Sequence, residues 1–197
     1  MLSNSRVACR QRVRAQTVDL AACLWFTPRH CESPPKFLQA VLAAMKIVDL
    51  FPAERVLLGV TVSNRAELLR LLAEKAGALG VVSQKQCYGQ VSAREELGST
   101  ALGRGIAIPH ARIETLSDAA GLLAILNRPI DFEAPDQEPV DVVMMLLLPG
   151  TSGGEQIKVL SRVARLARQD EVINSLRSAT SPEAVIEILR EADDADV

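Results

Sequence analysis

Val140-Asp141-Val142-Val143-Met144-Met145-Leu146-Leu147-Leu148-Pro149 is apolar almost throughout and is closed by a proline. A run of this kind, rich in β-branched and aliphatic side chains, reads as a central strand covered on two faces. Gly121 to Leu126 is a shorter run of the same character. Beyond Pro149 the pattern changes. Ile157, Leu160, Val163, Ala164 and Ala167 fall at steps of three and four, which predicts an amphipathic helix whose N-terminus is fed by the loop from Gly150 to Gly154.

Working outward, the apolar run from Val56 to Val62 predicts a buried strand. A helix follows it: Asn64 is its N-cap, Glu67 the reciprocal partner three residues later, and Leu68, Leu71, Leu72 and Lys75 continue at helical spacing until Gly77 closes the element. A second helix starts at Ser83 with Gln86 as capping partner, runs through Val91 to Leu97 and is stopped by Gly98. The last is announced by Ser181 as N-cap and Pro182 in its first turn, with Val185, Ile186 and Leu189 as the buried stripe. Strands alternating with helices define an α/β fold, a mixed β-sheet with helices packed on both faces of a single domain.

Composition narrows the function. With 197 residues, 48% hydrophobic and 23% charged, the chain is long enough for one domain with an aliphatic core. Aromatics are only 3%, with one Trp and one Tyr, so neither base stacking nor an aromatic-lined sugar cleft is supported. Residues 1–44 carry Arg6, Arg10, Arg12, Arg14, Arg29 and Lys36 against Asp19 and Glu32. The remainder holds 16 basic and 22 acidic residues, an acidic body that argues against nucleic acid and suits a protein partner with a basic face. Three of the four cysteines, Cys9, Cys23 and Cys31, also lie in the first 44 residues; without a CxxC pair or zinc spacing, a reducing cytoplasm is the simple expectation.

Those first 44 residues, Arg-rich and broken by Pro28, Pro34 and Pro35, show no sustained period and are expected to form a disordered N-terminal extension. Leu20-Ala21-Ala22-Cys23 has the look of a lipoprotein cleavage box, but Arg14, Gln16, Thr17 and Asp19 stand where an export signal needs apolar residues. The Arg-rich, acid-poor composition also suits a transit peptide, and Met45 would serve as an alternative start. No apolar run approaches the ~20 residues that span a bilayer, so no membrane insertion is expected. Residues 45–191 form the expected domain, with 192–197 as an acidic tail.

Chemistry concentrates in Gly105-Ile106-Ala107-Ile108-Pro109-His110-Ala111. Of the chain's two histidines, the other, His30, falls in the extension, so any histidine chemistry in the domain falls on His110. A lone histidine after proline is often just a structural residue; three local features point the other way. Pro109 fixes its own φ and restricts Ile108, so the imidazole is delivered on a stiff backbone. Gly103 and Gly105 permit close approach to the main chain, and the amides of such a turn can receive an anion. Arg94, Ser99, Thr100, Arg104 and Arg112 are near in sequence, and guanidinium forks with hydroxyls are what a tetrahedral oxyanion requires. Together they describe a phosphate-accepting histidine.

The stretch Arg94-Glu95-x-x-Gly98-Ser99-Thr100-x-Leu102-Gly103-x-Gly105-Ile106-Ala107-Ile108-Pro109-His110 resembles the active-site signature of the type-2 enzyme IIA domains of the bacterial phosphotransferase system, the mannitol, fructose and nitrogen-regulatory group. The resemblance extends over about residues 45–191 and is strongest toward the nitrogen-regulatory members. It implies that His110 takes a phosphoryl group from an HPr-type phosphocarrier protein, with Arg94 as charge stabiliser and Ser99 and Thr100 as hydrogen-bonding groups. Gly103, Arg104, Gly105 and Arg112 complete the expected phosphate-binding set. No cofactor or metal is implied, because in-line transfer between proteins needs neither a Walker A loop nor Mg²⁺.

Two positions depart from the family pattern. Gln156 stands seven residues after Pro149, where many members place a second histidine; it is expected in the catalytic set with His110 and Arg94, its amide donating a hydrogen bond to a phosphoryl oxygen or to the imidazole, and a solvated helix residue is the alternative. Arg104 replaces the Asn common between the two glycines. Three functions follow: a regulator that binds transporter or sensor-kinase targets according to its phosphorylation state, a sugar-transport carrier passing phosphate to an enzyme IIB cysteine, or a binding module without phosphotransfer.

Overall fold

The computed structural model describes residues 46–150 and 153–195. The expected extension therefore lies outside the described residues, as do positions 151–152 of the loop before the amphipathic helix and residues 196–197 of the expected tail. In chain order the elements are α1 (Ile47–Leu50), a 3₁₀ turn (Ala53–Arg55), β1 (Val56–Val60), α2 (Arg65–Ala78), α3 (Gln84–Glu96), β2 (Ala101–Gly103), β3 (Ile106–Ala107), β4 (His110–Ile113), β5 (Ala120–Ile130), β6 (Val140–Pro149), α4 (Gly153–Leu166), α5 (Asp170–Ser178) and α6 (Pro182–Ala195).

Helix starts follow their caps. The Asn64 side chain accepts the Glu67 amide at 2.9 Å, while the Glu67 carboxylate reaches back to the Ser63 amide at 2.7 Å. Ser83 accepts from Gln86, and Ser181 from Ala184. The stop of α2 differs from expectation. Gly77 lies inside the helix, where it faces Gln84 of α3, and the chain turns only at Gly80, whose φ of +69° is the left-handed conformation that ends helices. Residues 192–195, expected as tail, form the last turn of α6, with Ala192 and Asp193 buried.

The six-stranded mixed sheet runs β1-β5-β6-β3-β2, with β4 also paired to β6. β5 and β6 are antiparallel, and β1 lies parallel to β5. Alternation along β6 sends Val143, Met145 and Leu147 into a core under α2 and α3, and Val142, Met144, Leu146 and Leu148 into a second core under α1, α4, α5 and α6. The long apolar run is thus a central strand with both faces covered.

On its far side β6 carries what is in effect one strand with a break. Ala107 lies opposite Val143 and His110 opposite Leu146, the same offset of 36 residues on either side of Ile108-Pro109. Pro109 has no N–H to give, yet its carbonyl accepts from Leu146 at 2.8 Å, while the Ile108 amide turns to the Thr100 carbonyl at 3.1 Å. One missing ladder bond costs on the order of 1 kcal/mol. Each fully buried aliphatic side chain of β6 contributes about 1.5–3 kcal/mol, so the register survives the interruption. His110 is thereby the first residue of a short strand rather than part of a turn.

Candidate functional site

The imidazole is half-buried and both ring nitrogens are engaged. Nδ1 lies 2.9 Å from the Ile108 carbonyl oxygen, an acceptor only, so Nδ1 carries the proton. Nε2 is then the lone-pair nitrogen, and it accepts from Arg94 Nε at 3.2 Å. Arg94 comes from the last turn of α3, and its Nη1 donates to the Gly98 carbonyl at 3.1 Å. Burial pushes the His110 imidazole below its ordinary value of 6.5; the Arg94 charge acts in the same direction, while the Ile108 hydrogen bond and Glu95 oppose it. At neutral pH the ring is an uncharged base with a defined tautomer.

Arg112 follows His110 by two residues on β4 and is exposed, so the two side chains leave the strand on the same side. Ser99 and Thr100 are fasteners of the segment between α3 and β2. The Ser99 hydroxyl donates to the Phe132 carbonyl and accepts the Ala101 amide at 3.2 Å. The Thr100 hydroxyl donates to Glu95 at 2.5 Å and its amide to the other Glu95 oxygen at 2.9 Å.

Gly103, Arg104 and Gly105 have other partners. The turn they form does receive an anion, but it is the protein's own Asp136, whose Oδ2 accepts the Arg104 amide at 2.7 Å. That bond, with the further amide of Glu138, holds the exposed Asp136 carboxyl below the usual carboxylate range. A side chain at Gly103 would strike Asp136 Oδ2 at 2.5 Å, and one at Gly105 would strike Arg177 at 2.5 Å. Arg104 itself has φ +56°, and its guanidinium pairs with Asp170 at 2.6 Å and with the Ala167 carbonyl at 3.2 Å. Arg177 in turn donates to the Arg104 carbonyl at 2.9 Å. These contacts pin the β2–β3 hairpin to α5 and the end of α4, and none of them reaches His110.

Gln156 is 3% exposed, so it is not the solvated helix residue that exposure statistics suggest. Its Nε2 donates to the Pro149 carbonyl, bracing the strand end against α4. Sequence reasoning quoted Glu95 within the signature but gave it no role, and it missed the Ile108 carbonyl. A glutamate in a polar helix gives no signal of burial, and a main-chain acceptor gives no residue-type signal at all. Among the described residues no cluster of His, Cys, Asp and Glu could hold a metal ion.

Fold and site together define a mixed-sheet α/β domain that offers one arginine-paired imidazole beside its central strand. Residues 49–192 match the family described as phosphoenolpyruvate-dependent sugar phosphotransferase system, EIIA 2, and the chain belongs to it. It is 39% identical over 145 residues to the nitrogen regulatory protein of Bradyrhizobium diazoefficiens, covering 74% of this chain and 95% of that one. The crystal structure of the nitrogen regulatory protein IIA-Ntr from Neisseria meningitidis superposes with a TM-score of 0.69 at 33% identity, over 73% of this chain and 98% of that one. The 2-O-alpha-mannosyl-D-glycerate-specific EIIABC component of Escherichia coli is 32% identical over 148 residues, but this chain, 74% of which is matched, spans only 22% of that protein. No helix among the described residues is long and apolar enough to cross a membrane.

Proposed function

We propose that His110 Nε2 accepts a phosphoryl group from an HPr-type phosphocarrier protein in the cytoplasm, and that the phosphorylated and free forms differ in their binding to target proteins. The observation that carries this reading is the pair of bonds on the ring: the Ile108 carbonyl holds Nδ1–H, leaving Nε2 as the free base facing a guanidinium. In transfer, the Nε2 lone pair attacks phosphorus as the phosphorus–nitrogen bond of the donor's phosphohistidine breaks, and the donor ring leaves with that electron pair. No proton has to move within His110. The ring keeps Nδ1–H, and the hydrogen bond to Ile108 strengthens as positive charge develops on the imidazole. Arg94 must exchange Nε2 for a phosphoryl oxygen, where its fork neutralises equatorial charge. Arg112 adds a second cation on that side.

The regulatory reading is favoured over sugar transport by the kinship with stand-alone nitrogen regulatory proteins that this chain covers nearly end to end. A new phosphate would add about −1.5 to −2 charges beside two arginines, enough to remodel a docking surface. Incubation with phosphoenolpyruvate and the general phosphotransferase proteins should place acid-labile phosphate on the wild type and none on His110→Ala. Failure of the wild type to label would leave only a binding module. Passage of the label to an enzyme IIB cysteine would favour transport, whereas phosphorylation-sensitive capture of a transporter or sensor kinase would favour regulation.

A further inference from the structure

Both nitrogens of His110 are held by groups that one buried carboxylate organises. Glu95 follows Arg94 at the end of α3 and is 4% exposed. Its two oxygens meet the two donors of a single residue, the Thr100 amide at 2.9 Å and the Thr100 hydroxyl at 2.5 Å. From Thr100 a chain of contacts runs to one side of the ring: the Thr100 carbonyl accepts the Ile108 amide at 3.1 Å, and the Ile108 carbonyl accepts His110 Nδ1–H at 2.9 Å. Two residues back from Thr100, the Gly98 carbonyl holds Arg94, which reaches the other side of the ring at Nε2. The segment Gly98-Ser99-Thr100 thus spans both arms, and Glu95 draws it onto the helix end.

The carboxylate is itself supported from outside this segment. Arg65, at the start of α2, lies 3.7 Å from Glu95, forms a fork with Glu133 and stacks over the Phe132 ring at 5.8 Å. The Phe132 carbonyl accepts from Ser99, closing the network on the same segment. Buried glutamates are rare unless paired, and a helix end alone does not call for one.

We infer that Glu95 is a positioning residue for His110: by clamping Thr100 it fixes the ring in the Nδ1–H tautomer and holds Arg94 against Nε2. The inference rests on His110 as the phosphoryl acceptor, because only the tautomer with a bare Nε2 can attack phosphorus from that atom. Without the clamp the Ile108 carbonyl is no longer fixed beneath Nδ1, and the ring samples the Nε2–H form, which is not a nucleophile there.

The test pairs initial rates of phosphoryl uptake with the ¹⁵N shifts of the imidazole, which report the tautomer without any phosphate donor. Glu95→Met keeps the size and offers no acceptor to either Thr100 donor, whereas Gln could keep both contacts by donating to the Thr100 hydroxyl. Glu95→Met should remain folded, slow uptake on the order of 10- to 100-fold and move the Nδ1 and Nε2 shifts toward each other. Thr100→Val should act in the same direction, and Thr100→Ser, which retains both donors, should behave as wild type. A folded Glu95→Met with wild-type rate and wild-type ring shifts would overturn the inference. Should Glu95→Met fail to fold, Thr100→Val decides alone: wild-type shifts and rate there would equally overturn it. If the wild type itself takes no phosphate, the acceptor reading falls, while the ring shifts of the variants still decide whether Glu95 sets the tautomer.

Discussion

Arg94 Nε lies 3.2 Å from His110 Nε2, and the same guanidinium is tied at 3.1 Å to the Gly98 carbonyl. The cation therefore waits on the atom that would carry the phosphoryl group, already oriented by main chain. Arg94→Ala should slow phosphorylation on the order of 10²–10³-fold, the usual cost of losing one preorganised donor to a developing oxyanion. Because the side chain is only half-buried and lies outside both cores, thermal stability should change by less than about 1 kcal/mol. Arg94→Lys should recover part of the rate, since it restores charge without the fork. Initial rates beside a melting curve check this, and unchanged kinetics would take Arg94 out of the site.

The depressed His110 value sets a pH dependence with a definite sign. Burial, reinforced by Arg94, favours the neutral ring in the folded state, so the unfolded chain takes up the proton first, near the ordinary value of 6.5. Stability is then fully present above 6.5 and is lost as pH falls through it, until the folded ring protonates too. Uptake of phosphate should be level through neutrality and decline only on acidification below 6.5. Denaturant midpoints for wild type and His110→Gln across that range test the linkage: their difference should grow on the acid side, and parallel curves would mean that the ring is not shifted by folding.

What could be read in advance was whatever repeats along the chain. The runs that became β5 and β6 and the side-chain caps at Asn64, Ser83 and Ser181 are local patterns, and each formed where its pattern stands. The α4 stripe formed in part: Val163 and Ala167 are buried and Leu160 and Ala164 pack against the same core, but Ile157 is 66% exposed and the buried face runs through Val159 and Leu166 instead. The short strands β2, β3 and β4 are two to four residues long and broken by glycine and proline, too short for a period to register. α5 escaped because Gln169 offers no side-chain cap and its burial rests on Ile173 and Leu176. At the site, Pro109-His110 and Arg94 were legible by residue type. Glu95 was not, because its burial depends on Arg65, thirty residues earlier, and on a segment folding back beside it.

Arg104 separates two readings of the glycine turn. If it bound phosphate, Arg104→Ala would impair transfer. Its pairing with Asp170, with side chains 48% and 75% exposed, predicts an unchanged rate and a stability loss below about 1 kcal/mol. Gly103→Ala should cost more, about 1–3 kcal/mol, because φ is +88° and the new methyl would meet Asp136 Oδ2 at 2.5 Å. A rate defect in folded Arg104→Ala would return this residue to the phosphate site.

Gln156 is tested by removing its amide. Gln156→Met keeps the volume and leaves the Pro149 carbonyl without its donor, at a cost of about 1–3 kcal/mol. If bracing the strand end is all that Gln156 does, phosphorylation of the folded variant should match wild type. A slowed reaction with unchanged stability would instead put the amide on the phosphoryl group.

Asp193 joins the two ends of the domain. Its carboxylate accepts the Ile47 amide at 3.0 Å and the Val48 amide at 2.9 Å, the first two of α1, where Lys46 supplies no side-chain cap; Arg162 of α4 reaches it at 3.3 Å. It is 2% exposed. Asp193→Ala leaves both amides of a one-turn helix without their acceptor and should cost about 2–3 kcal/mol, whereas Asp193→Asn, which keeps one acceptor oxygen, should fall between. Hydrogen exchange localises the effect: protection of the Ile47 and Val48 amides should drop in Asp193→Ala well beyond the change in the amides of β6. Equal loss at both places would mean that Asp193 stabilises the whole domain without specifically holding α1 on α6.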